Sequence, residues 1–364
     1  MIITGRTVGS VANVMDPIRE GLRGAIAAEF SDVTPAKTLG TAATAAELAH
    51  DRGIDVLVGV GGGATLDTTK QVSILCATDE PTDIARSMVH RGSVSLSTDI
   101  HPIDIVAIPT TLPGADLSHA AGVGMTMDTA VESRSSIPGG SIADPRLMPA
   151  AVFYDASIVA TTPRQILTRS AMNGYDKGIE MLYSRYHTPI TDATAVRGLG
   201  ILQSTLPSIA DGGPTVDHLS SILQGIALVQ YGISSPAAYR ASIIHAVGHA
   251  LTAQYPIQQG AAHAIAAPHV LQYVFDRVDG RRELLADALG VIDEDDHAVA
   301  VVEAVKRTRD ALGLPTQLRS VEGADPSDIP ELAEAVIEDS IMAGRPEGLE
   351  PTADDLATVF DAMW

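Results

Sequence analysis

The chain has 364 residues, of which 45% are hydrophobic and one, Cys76, is a cysteine. That length can bury a large core in two domains, a lone thiol excludes an intrachain disulfide and fits a reducing compartment, and no apolar run reaches the roughly 18 residues that suggest a membrane helix. Acidic side chains outnumber basic ones by 45 to 24, a formal net charge of −21, which argues against nucleic acid or an anionic membrane as a partner.

Only four lysines occur: Lys37, Lys70, Lys177 and Lys306. An acidic, lysine-poor surface stays hydrated in concentrated salt, where screening cuts like-charge repulsion to a reach of a few ångströms. A halophilic, cytoplasmic protein is expected. The N-terminus lacks the basic segment and apolar core of a secretory leader.

In chain order, Met1 to Gly5 reads as a strand end and turn, and Ile18 to Phe30 has helical apolar spacing. Thr41 to Arg52 is Ala-rich and helical. The run from Asp55 then reads as a buried strand, a glycine turn and the start of a helix. Ile103 to Ile108 is a further strand, ending at Pro109-Thr110-Thr111. Such alternation predicts a parallel sheet with helices on both faces. Beyond Thr162 strand signals largely vanish. Leu199 to Ile209, Ser220 to Tyr231, Ala237 to Ala253, Ala262 to Asp276, His297 to Leu312 and Ile329 to Met342 read as helices. The expected architecture is an α/β N-terminal nucleotide-binding domain with a parallel sheet, residues 1–157, and an all-α C-terminal domain, residues 158–364. The loop Tyr154-Asp155-Ala156-Ser157 serves as the boundary.

The glycine turn carries the chemistry of the first domain. Gly61, Gly62 and Gly63 remove Cβ atoms where a backbone must turn and approach a ligand, and the following helix N-terminus suits a phosphate. Asp67 and Lys70 share one side of that helix. A glycine triplet alone is often only a loop. This one, read with Asp67 and Lys70, resembles the Gly-Gly-Gly-Ser-x-x-Asp-x-x-Lys motif of the iron-containing alcohol dehydrogenase family, with Ala64 in place of the serine. It is not the Gly-x-Gly-x-x-Gly fingerprint of ordinary Rossmann domains. The resemblance spans nearly the whole chain. Pro109-Thr110-Thr111 looks like the family's Pro-Thr-Thr segment, and Tyr154-Asp155 with Thr162-Pro163 resembles its domain junction. The stretch from Arg345-Pro346 to Trp364 is similar to the maleylacetate reductase branch. Family members usually carry an extra segment before the strand that begins here at Met1.

The resemblance implies a nicotinamide dinucleotide, with its pyrophosphate on the glycine turn, Thr110 and Thr111 bonded to the nucleotide, and Asp67 and Lys70 bracing the turn. Both ligands would sit in a cleft between the domains. At the end of the first strand, an acidic side chain would bind a ribose diol and repel a 2′-phosphate. Gly5 leaves space there and Arg6 offers a bidentate phosphate partner, so NADP is favoured over NAD. Alternatively, Arg6 is a solvated surface residue.

Family members with iron or zinc use an aspartate, a histidine four residues on, a histidine of a His-x-x-x-His pair and a later histidine. Here Asn173 takes the aspartate position, Lys177 the first histidine position and Gln259 the last. Only His245, of His245 and His249, matches a ligand. Amides and an ammonium are poor partners for a divalent cation, so no catalytic metal is expected. In another register Asp176 and Glu180, with His245, would bind one; otherwise those carboxylates form a solvated helix face. The reading favoured here gives Lys177 the cation's place, polarising a carbonyl, with His249, one helical turn from His245, passing the proton; Lys177, His245 and His249 are the catalytic candidates. Asn173, Gln259 and His263 would line the substrate, His263 resembling a histidine of the maleylacetate reductase branch, although a buried histidine on an apolar helix is often only core.

The expected activity is hydride transfer between NAD(P) and a small alcohol, aldehyde or keto acid, with reduction as the direction in the cell if NADPH is used. The resemblance suggests a homodimer. Two rivals stand beside it: a metal-dependent sugar-phosphate cyclase of the dehydroquinate synthase type, and a nucleotide-binding homologue that has lost catalysis.

Overall fold

A computed structural model describes residues 1–92, 101–133, 137–210, 213–235 and 238–364. The chain forms two compact units, Met1–Thr162 and Pro163–Trp364.

The first unit contains β1 (Ile2–Gly5), α1 (Arg6–Gly9), α2 (Ala12–Leu22), β2 (Glu29–Val33), α3 (Leu39–Asp51), β3 (Val56–Gly61), α4 (Gly63–Leu75), α5 (Pro81–Arg91), β4 (Asp104–Pro109), β5 (Ala120–Gly124), β6 (Gly139–Ala143), β7 (Ala151–Val152) and α6 (Ala156–Val159). Five strands form one sheet in the order β2-β1-β3-β4-β7, with every neighbouring pair parallel. Strand periodicity sends Ile2 and Ile3 to opposite faces. Ile3 and Leu57 join α3, α4 and α5 in one core, whereas Ile2, Val58 and Val60 pack on Val14, Met15 and Ile18 of α2 in another. Helix α3 buries Ala42, Ala43, Ala45, Ala46 and Ala49. These small side chains let it lie close, and a Cβ on Gly40 would fall 2.1 Å from the Met127 carbonyl oxygen.

Three local expectations differ from the structure. The helix expected to reach Phe30 ends at Leu22, because Arg23 turns to φ 40°, and Phe30 points inward from β2. The presumed loop at 154–157 contains the start of α6, whose N-terminal amides at Ser157 and Ile158 are capped by Asp155. The antiparallel pair β5–β6 had no clear sequence signal, since Ala120–Gly124 is nearly all alanine and glycine.

The second unit contains α7 (Arg164–Tyr183), α8 (Pro189–Thr205), α9 (Val216–Gln230), β8 (Ser234–Ser235), β9 (Ala238–Tyr239), α10 (Ile243–Gln254), α11 (Gln259–Arg277), α12 (Arg282–Ala288), α13 (His297–Ala311), α14 (Ile329–Glu338) and α15 (Ala353–Met363). The helix expected from Ala237, a residue outside those described, begins instead at Ile243. The two-residue strands β8 and β9 pair just before it. Helix α7 is the axis of this unit and is buried almost continuously from Leu167 to Tyr183. Gly178 allows its close packing, since a Cβ there would lie 2.8 Å from both Leu199 and Val229. Among the described residues, no helix is long and apolar enough to cross a membrane.

Candidate functional site

In the first unit, β3 delivers the glycine turn to the start of α4. Gly61 has φ 155°, and a Cβ on it would fall 2.5 Å from Thr65 Oγ1. Gly62 is the N-cap of α4 and brings no capping side chain; a Cβ there would press on Thr111 Oγ1 at 3.0 Å. The Thr110 N–H donates to the Gly61 carbonyl at 3.0 Å, and Thr162 Oγ1 donates to the Thr110 carbonyl at 2.6 Å. Thus the turn and the Thr110-Thr111 segment meet, with a bare helix N-terminus between glycines. That cradle fits a dinucleotide pyrophosphate.

Asp67 and Lys70 act one layer away. Asp67 Oδ2 accepts from Lys37 Nζ at 2.7 Å and from the Gly122 N–H at 3.1 Å. Lys70 Nζ donates to the carbonyls of Ala115 and Ala120 at 2.7 and 2.8 Å, and burial lowers its pKa to about 8. Both side chains therefore tie the segment 115–122 to α4. Gly5 sits where a Cβ would approach the Val33 carbonyl oxygen at 3.2 Å. Arg6 donates to Asp32 at 3.0 Å and to Glu132 at 3.1 Å, with all three side chains at least 60% exposed.

In the second unit, α7, α10 and α11 gather a charged centre. Asp176 and Glu180 lie one turn apart on α7, the spacing that stacks side chains on one face. Both are fully buried, so neither belongs to a solvated face. Glu180 Oε1 accepts from the backbone N–H groups of Ile244 at 2.7 Å and His245 at 3.3 Å, and from the Tyr183 hydroxyl at 3.1 Å. Its Oε2 meets His245 Nδ1. Glu180 thereby supplies to α10 the cap that Ser242 does not. Asp176 Oδ2 lies 3.3 Å from His263 Nδ1, and the His245 and His263 ring centroids are 4.3 Å apart. Gly248 permits this approach of α11: a Cβ there would fall 2.4 Å from His263 Nε2 and 3.6 Å from Gln259 Cγ.

Lys177 is 7% exposed and its Nζ donates to Gln230 Oε1 at 3.3 Å. Burial holds His245 and His263 well below the usual imidazole range, and the Lys177 charge pushes both further down. Burial, and then the nearby Glu180, raise the Asp176 carboxyl well above its usual range. Burial also raises Glu180, against the hydrogen bonds it accepts. Asn173 Oδ1, both Asp176 oxygens, His245 Nε2 and both His263 nitrogens are buried without a hydrogen-bond partner. Unpartnered buried polar atoms are costly. Their concentration here suits a polar ligand or ordered water.

The donor set does not fit the metal that the family name implies. The positions at issue hold an amide, an ammonium, one imidazole and a second amide: Asn173, Lys177, His245 and Gln259. Of these only imidazole is a good ligand for iron or zinc. Among the described residues, no group of three or more His, Cys, Asp or Glu side chains is arranged to hold a metal ion. Of the shifted register's carboxylates, Glu180 is engaged with His245.

The structure brings His245, His249 and His263 together with Asp176 and Glu180, sets Gln259 beside Gly248, and places Asn173 on the preceding turn of α7. Sequence reasoning missed Asp339, which contacts His249 Nδ1 at 2.7 Å. Nothing local marks it, since 90 residues separate the partners.

Two family models match the chain: iron-containing alcohol dehydrogenase over residues 1–156, and the C-terminal part of the Fe-containing alcohol dehydrogenase family over residues 169–364. Lactaldehyde reductase of Escherichia coli (strain K12) is 27% identical, over 100% of this chain and 91% of that one. Maleylacetate reductase 2 of Cupriavidus pinatubonensis is 26% identical, over 68% of this chain and 58% of that one. The crystal structure of a 1,3-propanediol oxidoreductase superposes with a TM-score of 0.85 at 20% identity, covering 100% of this chain and 91% of that one. The parallel α/β unit and the helical unit are therefore a shared fold, and the chain belongs to the iron-containing alcohol dehydrogenase family, oxidoreductases that act on CH–OH groups.

Proposed function

We propose that this chain is an NADPH-preferring reductase of small aldehydes or keto acids that uses a fixed ammonium where its relatives' pattern has a metal. The observation that carries this reading is Lys177, a buried cation on the same helix as Glu180, beside His245. The bound dinucleotide would supply a hydride to the carbonyl carbon. Everything else falls to the chain. The glycine turn and Thr110-Thr111 hold the pyrophosphate and nucleotide. Lys177 faces the oxygen as it gains negative charge, in a low-dielectric setting where a preorganised cation is most effective. His245 and His249 carry the proton that this oxygen takes up, while Asn173, Gln259 and His263 line the carbonyl compound.

The direct test is NADPH-dependent reduction of lactaldehyde, with a panel of other aldehydes, by protein purified in molar KCl, with metal content measured on the same sample. Turnover with less than about a tenth of a metal per chain supports the reading. About one metal per chain, with activity lost on chelation, overturns the ammonium mechanism. No turnover of any aldehyde leaves the nucleotide-binding homologue. At a net charge of −21, dilution to low salt removes the screening that tempers self-repulsion, so activity and folding should both fail there. Full stability in dilute buffer would contradict a halophilic origin.

Cofactor choice is carried by Gly5 and Arg6. A 2′-phosphate would have to draw Arg6 from Asp32 and Glu132, but such exposed pairs are worth about 1 kcal/mol or less. A charge-assisted phosphate contact outweighs that. Arg6→Ala should raise KM for NADPH about tenfold and leave KM for NADH unchanged. Equal KM values for NADPH in both proteins would reduce Arg6 to a surface ion pair. The substrate centre lies in a chain expected to act as a cytoplasmic homodimer.

A further inference from the structure

The three imidazoles of the second unit form a row graded from core to solvent. His263 is wholly buried, the His245 side chain is 3% exposed, and the His249 side chain is 45% exposed. The His245 ring centroid lies 4.3 Å from that of His263 and 6.5 Å from that of His249, both edge-on. His245 and His249 hydrogen-bond a carboxylate through Nδ1, Glu180 and Asp339 respectively, and His263 Nδ1 lies 3.3 Å from Asp176. The three carboxylates come from two separate helical segments, so the repetition is not a by-product of one helix's spacing.

Asp339 is the member of this set without an obvious task in the core. It follows α14, and its Oδ1 accepts the Ile341 N–H at 3.0 Å while Oδ2 takes His249 Nδ1 at 2.7 Å. Burial tends to raise this carboxyl, but the His249 contact and the Ile341 N–H outweigh it and hold it below its usual range. An ionised carboxylate has no proton to donate. The hydrogen in this contact therefore belongs to His249 Nδ1, which leaves Nε2 as the nitrogen that exchanges a proton. At His245 the geometry is alike: Glu180 faces Nδ1, and Nε2 is the buried atom without a partner. In a neutral imidazole the partner of one nitrogen fixes the role of the other.

We propose that Asp339, together with Glu180, is a positioning residue that fixes His249 and His245 as Nδ1–H tautomers, so that the two Nε2 atoms form a proton path from the buried centre to solvent. The proposal rests on the reductase reading of Lys177 and the histidines. The path is charge-balanced. Each imidazole gains a proton at Nε2 from the solvent side and gives it up from Nε2 toward the carbonyl oxygen, while its Nδ1 proton stays on the ring, donated to the carboxylate. The charged groups acting on His245 and His263 include Lys177, which disfavours protonation of both, Glu180, which favours it at His263, and Asp339, which favours it at His245.

Two measurements test this. NMR of protein labelled at the histidine nitrogens reads the tautomers without any need for turnover. His245 and His249 should both be Nδ1–H, and Asp339→Asn should release His249 into a tautomer mixture while His245 stays fixed. An Nε2–H or already mixed His249 in the unaltered protein overturns the proposal. Kinetics with NADPH and lactaldehyde form the second arm. Asp339→Asn should lower kcat about tenfold, less than the roughly hundredfold or more that a general acid–base group itself contributes, with KM unchanged, and Asp339→Glu should recover much of the loss. In a His249→Gln background the same Asp339→Asn change should cost nothing further. Additive losses would mean that Asp339 acts on the fold and not through His249. If the unaltered protein reduces no aldehyde, the reductase reading fails on its own and the tautomer measurement still decides the role of Asp339.

Discussion

Lys177→Met lowers kcat for aldehyde reduction by about a hundred- to a thousandfold, the loss seen when one preorganised oxyanion donor is removed. The methionine keeps the length and apolar stem of the lysine, so the fold around α7 is retained. The change removes the charge and the hydrogen bond to Gln230. Because Lys177 also pushes His245 and His263 down, its loss makes both imidazoles easier to protonate. If Lys177 is the oxyanion's partner, the slower variant should nonetheless bind anionic inhibitors such as oxamate more weakly than the unaltered protein. Steady-state kinetics across aldehydes, with circular dichroism as the control for folding, measures the effect. A kcat within about twofold of the unaltered protein would remove Lys177 from the mechanism.

Glu180→Ala unfolds the second unit more readily, by about 4 kcal/mol. Four donors lose their acceptor at once: the Ile244 and His245 N–H groups, the Tyr183 hydroxyl and His245 Nδ1. All are buried, and water cannot replace the carboxylate without entering the core. A single unsatisfied buried donor costs about 1–3 kcal/mol, and the carboxylate also favours the positive end of α10. Urea titration in molar KCl reads the shift. Glu180→Gln is the informative companion, since its carbonyl can still accept from Ile244 while its amide N–H₂ would face His245 Nδ1. That arrangement forces the other tautomer of His245. The Gln variant should stay folded and lose activity, whereas the Ala variant should lose both. If Glu180→Ala proves as stable as the parent, the cap it gives to α10 contributes nothing.

The architecture was legible because its signals are strong and local. Val56 to Gly61 is an apolar run closed by glycines, which only a buried strand and tight turn satisfy. The alternation before Thr162 and the helical periods after it separate a parallel sheet from a helical unit. The failures have physical causes. Phe30 keeps helical spacing with Ile18, but Arg23 and Gly24 interrupt the helix between them, and apolar spacing alone cannot see such a break. The ribbon β5–β6 is anchored to α4 by Lys70 and Asp67, a long-range cause. In the centre of the second unit the individual residue types were readable, because Lys177 and His245 fall on a recognisable pattern. Their pairing was not. Glu180 and Asp176 are carboxylates that composition assigns to the surface, and only the packing of three helices shows that they serve imidazoles. Asp339 belongs to a segment whose relation to α10 no sequence spacing encodes.

Helix α10 carries both His245 and His249 yet brings no cap of its own, and its first amides are received by Glu180, 64 residues earlier in the chain. The order of folding follows from that dependence. An isolated α10 is a twelve-residue segment, short enough to be marginal in water, and it gains its first turn only when α7 has docked. Nascent or partly unfolded chains thus hold the two histidines on frayed backbone, with no carboxylate to orient them. On the proposed mechanism, the two histidines reach their working orientation in the same step as core consolidation.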